Sequence, residues 1–123
     1  MRTVNRTTGA RLRIVLEPGV ALGPGKADLL AGIVETGSIA ASGRRLGMSY
    51  KRAWQLVEEL NRTFREPLVG TAKGGAQGGG AHLTPLGEEV LRRLRAMQAG
   101  TEAVIADDLA ALRAALRPPG TPG

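Results

Sequence analysis

Apolar residues at helical spacing, Gly-containing turns between short helical runs, and a Gly-rich loop between two extended runs predict the fold class. It is mainly α with a small β wing: a winged helix-turn-helix with a long C-terminal dimerisation helix. Residues 1–10 read as a disordered N-terminal arm, 11–117 as the domain, and 118–123 as a disordered tail.

The stretch from Arg11 to Glu17 alternates and carries β-branched residues, which predicts a strand ended by Pro18-Gly19. Gly23-Pro24-Gly25 is a breaker cluster, followed by a helix from Lys26 to Thr36 with Leu29, Leu30, Ile33 and Val34 at helical spacing. Gly37 sits where a left-handed cap closes a helix. Ser38 is a suitable N-cap for a short helix from Ile39 to Leu46, stopped by Gly47. Ser49 caps a third helix from Tyr50 to about Phe64, whose apolar face is Ala53, Leu56, Val57, Leu60 and Phe64.

Beyond Pro67, Leu68–Ala72 and Ala81–Thr84 read as strands, and the glycine run between them as a wing. Thr84 caps the last helix, Pro85 fits its first turn, and Glu88-Glu89 lie near its positive end. That helix runs to about Leu116, with Gly100 as a point of breakage or close packing. Its stripe of Leu91, Leu94, Ile105, Leu109 and Leu112 exceeds what one small domain needs: either it packs back over the first helix or it pairs with a copy of itself, and the homodimer interface is the favoured assignment.

Composition narrows the partner. The formal net charge is +6, which favours a polyanion: nucleic acid or an anionic membrane surface. No apolar run is long enough to span a bilayer, and the polar N-terminus does not resemble a secretory signal, so a cytoplasmic protein is expected. Cysteine is absent, which removes disulfides and thiolate metal sites. The aromatic residues are Tyr50, Trp54 and Phe64, too few for the stacking platforms that hold single strands, so duplex DNA fits better.

The turn and third helix carry the main signal. Arg44, Arg45, Lys51 and Arg52 fall close together without an intervening acid. Lys51, Gln55, Glu58 and Arg62 point away from the apolar face, flanked by Tyr50 and Trp54. Early residues of such a helix reach base edges in the major groove, and Lys51 and Gln55 suit base acceptors and donors. Ser38, Ser49 and Arg52 suit phosphates, as do Arg44, Arg45, Arg62 and Lys73. A merely solvated basic helix face is the competing reading.

The glycine run is not a phosphate-binding P-loop, since it leads into Ala81-His82-Leu83 and not into a Lys-Ser/Thr helix start. His82 is the single histidine and has no ligand-like company. Glu58-Glu59, Glu88-Glu89 and Asp107-Asp108 are neighbours whose side chains diverge on a helix. No metal site and no catalytic set is expected, hence no enzyme.

The stretch Gly37-Ser38-Ile39-Ala40-Ala41-Ser42-Gly43-Arg44-Arg45-Leu46-Gly47-Met48-Ser49 resembles the DNA-binding helix-turn-helix of LysR-type and ModE-type regulators. Ser49-Tyr50-Lys51-Arg52-Ala53-Trp54, followed by Glu59-Leu60-Asn61, is similar to the ModE type, as is the run from Gly74 through His82 to Leu83-Thr84. The resemblance spans about residues 11–116. It implies a molybdate-responsive class of regulator, dimeric through the last helix. It departs at Gly70-Thr71, where relatives often place an acid and an arginine, and in a wing whose single cation is Lys73. In that family molybdate binds separate C-terminal β domains, so the expectation is a single-domain member that keeps the DNA reader and binds neither molybdate nor another cofactor.

The function expected is therefore a sequence-specific double-stranded DNA-binding transcription regulator, a repressor of molybdenum-related genes acting on a palindromic operator. The alternatives are a sequence-tolerant architectural DNA-binding protein and a protein-interaction adaptor on the same fold.

Overall fold

A computed structural model describes residues 8–72 and 80–120. The elements follow in the order β1 (Ile14–Glu17), β2 (Val20–Leu22), α1 (Pro24–Thr36), α2 (Ile39–Arg45), α3 (Tyr50–Thr63), β3 (Val69–Ala72), β4 (Gly80–Leu83) and α4 (Pro85–Ala114). The mainly α architecture with a small β wing and a long last helix is as the sequence predicts.

The N-terminal end differs from expectation. The single strand foreseen over 11–17 is a hairpin: β1 begins at Ile14 and pairs antiparallel with β2, with Ile14 opposite Leu22. Pro18-Gly19 thus turns the chain back instead of ending the element, and Gly19 supplies the positive φ of 85°. Nor is Gly23-Pro24-Gly25 a pure breaker, since Gly23 is the N-cap and Pro24 takes the first helical position of α1. Residues 8–10 of the expected disordered arm lie against α4: the Ala10 amide donates to Glu102 at 2.7 Å, and Gln98 donates to the Ala10 carbonyl at 2.8 Å.

Capping explains most helix ends. Gly37 is left-handed and donates to Ile33. Ser38, Ser49 and Thr84 accept from Ala41, Arg52 and Gly87 respectively. Gly100 neither breaks α4 nor packs closely, for a Cβ there meets nothing within 4 Å.

The core joins Leu29, Leu30 and Ile33 of α1 to Leu56, Val57 and Leu60 of α3, roofed by Leu91 and Leu94 of α4. α1 and α2 cross closely because Gly32 faces Ser42, where an added Cβ would lie 2.1 Å from the hydroxyl oxygen. Ser42 is fully buried, and its hydroxyl donates to the Leu29 carbonyl at 2.8 Å, which removes the desolvation cost.

Leu91 and Leu94 therefore do not belong to a dimer seam. They are 4% and 9% exposed and serve the chain's own core. The periodic stripe along α4 is two surfaces joined end to end. Its first part packs inward, while Val104, Leu112 and Leu116 are exposed and Ile105 and Leu109 are half-buried.

Candidate nucleic-acid interface

α3 is amphipathic, and burying Ala53, Leu56, Val57 and Leu60 fixes which side faces out. Tyr50, Lys51, Trp54, Gln55 and Glu58 share one outward surface, as the helical phase predicts. Tyr50 is 63% exposed and meets Trp54 edge-on at 6.1 Å between ring centres. The Trp54 Nε1 is buried and has no hydrogen-bond partner among the described residues.

The turn before α3 is built by sequence. Gly47 adopts φ 73°, and its amide and that of Met48 bond back to Arg44 and Gly43. An added Cβ at Gly43 would lie 2.8 Å from that of Ala53, so α2 and α3 pack at close range. This tight corner leaves Arg44, at the end of α2, exposed just ahead of the turn that leads to the Ser49 cap of α3.

The wing root is anchored from three sides. β3 and β4 pair antiparallel with Val69 opposite Leu83. The Ala81 amide donates to the Gly37 carbonyl at 2.9 Å, tying β4 to the end of α1. Asn61 at the end of α3 accepts from the amides of Leu68 and Val69 and donates to the Val69 carbonyl. Ser38, Tyr50, Trp54, Thr71 and Gly80 line the crevice between this root and the helices. Lys73 and the glycines 74–75 and 78–79, assigned to the wing, lie outside the described residues.

The basic residues behave differently from one another. Arg44, Lys51, Arg52 and Arg62 are exposed and make no ion pair or side-chain hydrogen bond among the described residues. Arg45 was expected to hold phosphate, but its guanidinium donates to Glu35 at 2.7 Å. On α4, Arg92 and Arg93 bracket Glu89, whose carboxyl their hydrogen bonds pull down to about 2, the Arg92 bond acting most strongly. Within the helix-turn-helix, Arg44, Lys51, Arg52 and Arg62 are the cations without an ion-pair partner among the described residues.

Sequence reasoning missed Asn61, Ser42 and the β2 strand. The strand had a signal, since Pro-Gly between Ile14-Val15-Leu16 and Val20-Ala21-Leu22 is hairpin chemistry. Asn61 had none, because its partners are set by where the chain returns after Pro67. Among the described residues no group of His, Asp or Glu is placed to hold a metal ion, and no helix is long and apolar enough to cross a membrane.

The chain is 46% identical over 88 residues to the molybdenum-pterin-binding protein MopB of Rhodobacter capsulatus, covering 71% of this chain and 33% of that protein. It is 40% identical over 81 residues to the transcriptional regulator ModE of Yersinia pestis, covering 66% and 31%. It is 36% identical over 81 residues to the DNA-binding transcriptional dual regulator ModE of Escherichia coli (strain K12), again covering 66% and 31%. The chain thus spans about a third of the length of the curated relatives it matches. The crystal structure of ArgP from Mycobacterium tuberculosis aligns with 72% of this chain and 30% of its own, at 24% identity and a TM-score of 0.48. Residues 26–88, from the start of α1 into α4, match the model of the bacterial regulatory helix-turn-helix proteins of the lysR family, and the chain belongs to that family.

Proposed function

We propose that the chain is a sequence-specific double-stranded DNA-binding transcription regulator of the cytoplasm, working as a homodimer on a palindromic operator and repressing molybdenum-related genes. The observation that carries the DNA reading is the outward surface of α3. Lys51, Arg52 and Gln55 are exposed on a helix held by a tight Gly-containing turn and a capped N-terminus, and Arg44 is exposed at the end of the helix before that turn. Such a helix fits the major groove, where Lys suits the guanine acceptors and Gln pairs with adenine. The molybdenum context is supported by the names of the relatives, and the dimer by the exposed apolar part of α4.

Selection of a bound sequence from a random duplex pool, followed by affinity measurement at fixed salt, tests this. Lys51→Ala and Gln55→Ala should each weaken the selected site by about 1–3 kcal/mol and narrow its margin over scrambled DNA. Arg44→Ala should weaken both duplexes alike, and more than Arg45→Ala, because Arg45 already has Glu35 as partner. An unchanged selected-to-scrambled ratio in Lys51→Ala would remove the base-reading role. A footprint without boundaries would favour the architectural alternative, and no gel shift at all the adaptor.

We further propose that the residues of this chain bind neither molybdate nor another cofactor. Selective oxyanion recognition needs convergent donors in a shaped, partly buried site. The cations of the interface are exposed, which favours a polymer backbone over a small enclosed ion. Calorimetric titration should show no more heat with molybdate than with sulfate at equal ionic strength. Saturable, molybdate-selective heat refutes this.

A further inference from the structure

The outward stripe of α3 has two flanks. At about 100° per residue, Lys51, Gln55, Glu58 and Arg62 lie between Tyr50 and Trp54 on one side and Arg52 and Glu59 on the other. The Tyr50–Trp54 flank borders the wing root. The Arg52–Glu59 flank borders a groove of about 980 Å³, walled by the β1–β2 hairpin and floored by the start of α1. Ser49, Arg52 and Arg62 on its helix side are already assigned to phosphates, whereas Arg13 and the hairpin wall opposite them have no assigned role.

Its charge is lopsided. Glu59 is its one carboxylate and pairs with Lys26 at 3.7 Å, while Lys26 also donates to the Ala21 carbonyl. Arg13, Arg52 and Arg62 remain uncompensated, exposed, and without ion pair or side-chain hydrogen bond among the described residues. Its walls are also bare. Gly23 and Gly25 line it, neither has a positive φ, and a Cβ at either meets nothing within 4 Å. Neither backbone conformation nor packing within the chain calls for glycine there. What the missing side chains keep clear is the groove itself, beside the amide-rich end of a 13-residue helix.

A helix lying in the major groove, about 12 Å wide, has a sugar–phosphate backbone on each side. We propose that the β1–β2 hairpin is a second clamp: Arg13, Arg52 and Arg62 grip phosphates of the DNA strand on the flank opposite the wing. The inference rests on the DNA-binding reading and extends it to Arg13 and the hairpin wall of the groove. The occupant is a polymer backbone because the groove is open along its length and parallels the recognition helix from Ser49 to Thr63.

The test measures binding of the wild-type chain, Arg13→Gln and Gly25→Glu to the selected and scrambled duplexes across a salt series. Arg13→Gln should lose roughly tenfold on both duplexes near 0.1 M salt, and its slope of log K against log salt should shrink by about 0.9, one phosphate contact. Gly25→Glu puts a carboxylate into open space at the start of α1, where it suits the helix. It should melt no lower than wild type yet bind both duplexes at least about tenfold more weakly. A wild-type slope and affinity in both variants overturns the clamp while leaving the recognition helix intact. Saturable binding of inorganic phosphate to the wild-type chain, lost in Arg13→Gln, overturns it in favour of a small-anion pocket. A wild-type chain that binds no duplex refutes the DNA-binding reading and the clamp together.

Discussion

A chain carrying Ile105→Glu and Leu109→Glu is expected to sediment as a monomer and to lose operator affinity by about 10²–10⁴-fold. α4 is 30 residues long, so it extends about 45 Å at 1.5 Å per residue. Its N-terminal part is consumed by the core through Gly87, Leu91 and Leu94. Further along, Val104 is 82% exposed and Leu112 and Leu116 are 70% exposed, with Ile105 and Leu109 half-buried among them. A two-fold pairing of this part with its copy would bury the same residues on both sides. Carboxylates placed in such a seam lose hydration without gaining partners. Since the core uses Leu91 and Leu94, the variant should keep cooperative unfolding while losing its mate. Sedimentation at tens of micromolar, an order-of-magnitude choice for weak association, decides: a monomeric wild type, or a variant that still dimerises, rejects the assignment.

Gly87→Ala is expected to cost about 3 kcal/mol or more of folding stability, measured by urea unfolding. A Cβ at Gly87 would stand 2.1 Å from the carbonyl oxygen of Leu68 and 3.0 Å from its carbonyl carbon. Those are backbone atoms, and they cannot turn aside as a side chain would. The same oxygen accepts the Thr84 amide at 2.9 Å, and the Leu68 amide donates to Asn61, so displacing Leu68 disturbs the end of α3, the root of the wing and the start of α4 at once. Gly100→Ala is the control in the same helix. Its site is exposed and open, and exchanging Gly for Ala there should gain about 1 kcal/mol. Equal effects at the two positions would show that helix propensity, not the approach to Leu68, governs Gly87.

The parts of this fold that repeat or cap were legible in the sequence. Ala53, Leu56, Val57 and Leu60 gave the inward face of α3 by spacing alone, and Ser38, Ser49 and Thr84 marked helix starts because their hydroxyls meet local amides. What stayed hidden depends on residues distant in the chain. Leu91 and Ile105 look alike in a periodic stripe, and only the position of α1 decides that the first is core and the second is not. Arg45 and Arg44 are adjacent, yet Glu35 on another helix claims one of them. Arg13 was outside the expected site because it faces α3 only across a groove formed by the folded chain. The outward face of α3 was readable, since Lys51, Gln55, Glu58 and Arg62 recur every three or four residues on one helix.

The clamp at Leu68 also bears on how such a protein changes over generations. The register of Val69 with Leu83 is secured from below, by Asn61, by Thr84 and by the bond from Ala81 to Gly37. None of those bonds draws on the segment between Ala72 and Gly80. Lengthening a loop whose ends are already fastened adds only about 0.6 kcal/mol per doubling. The stretch between Ala72 and Gly80 is thus free to vary in length and charge over generations without disturbing the bonds that hold α3, β3, β4 and α4 in place.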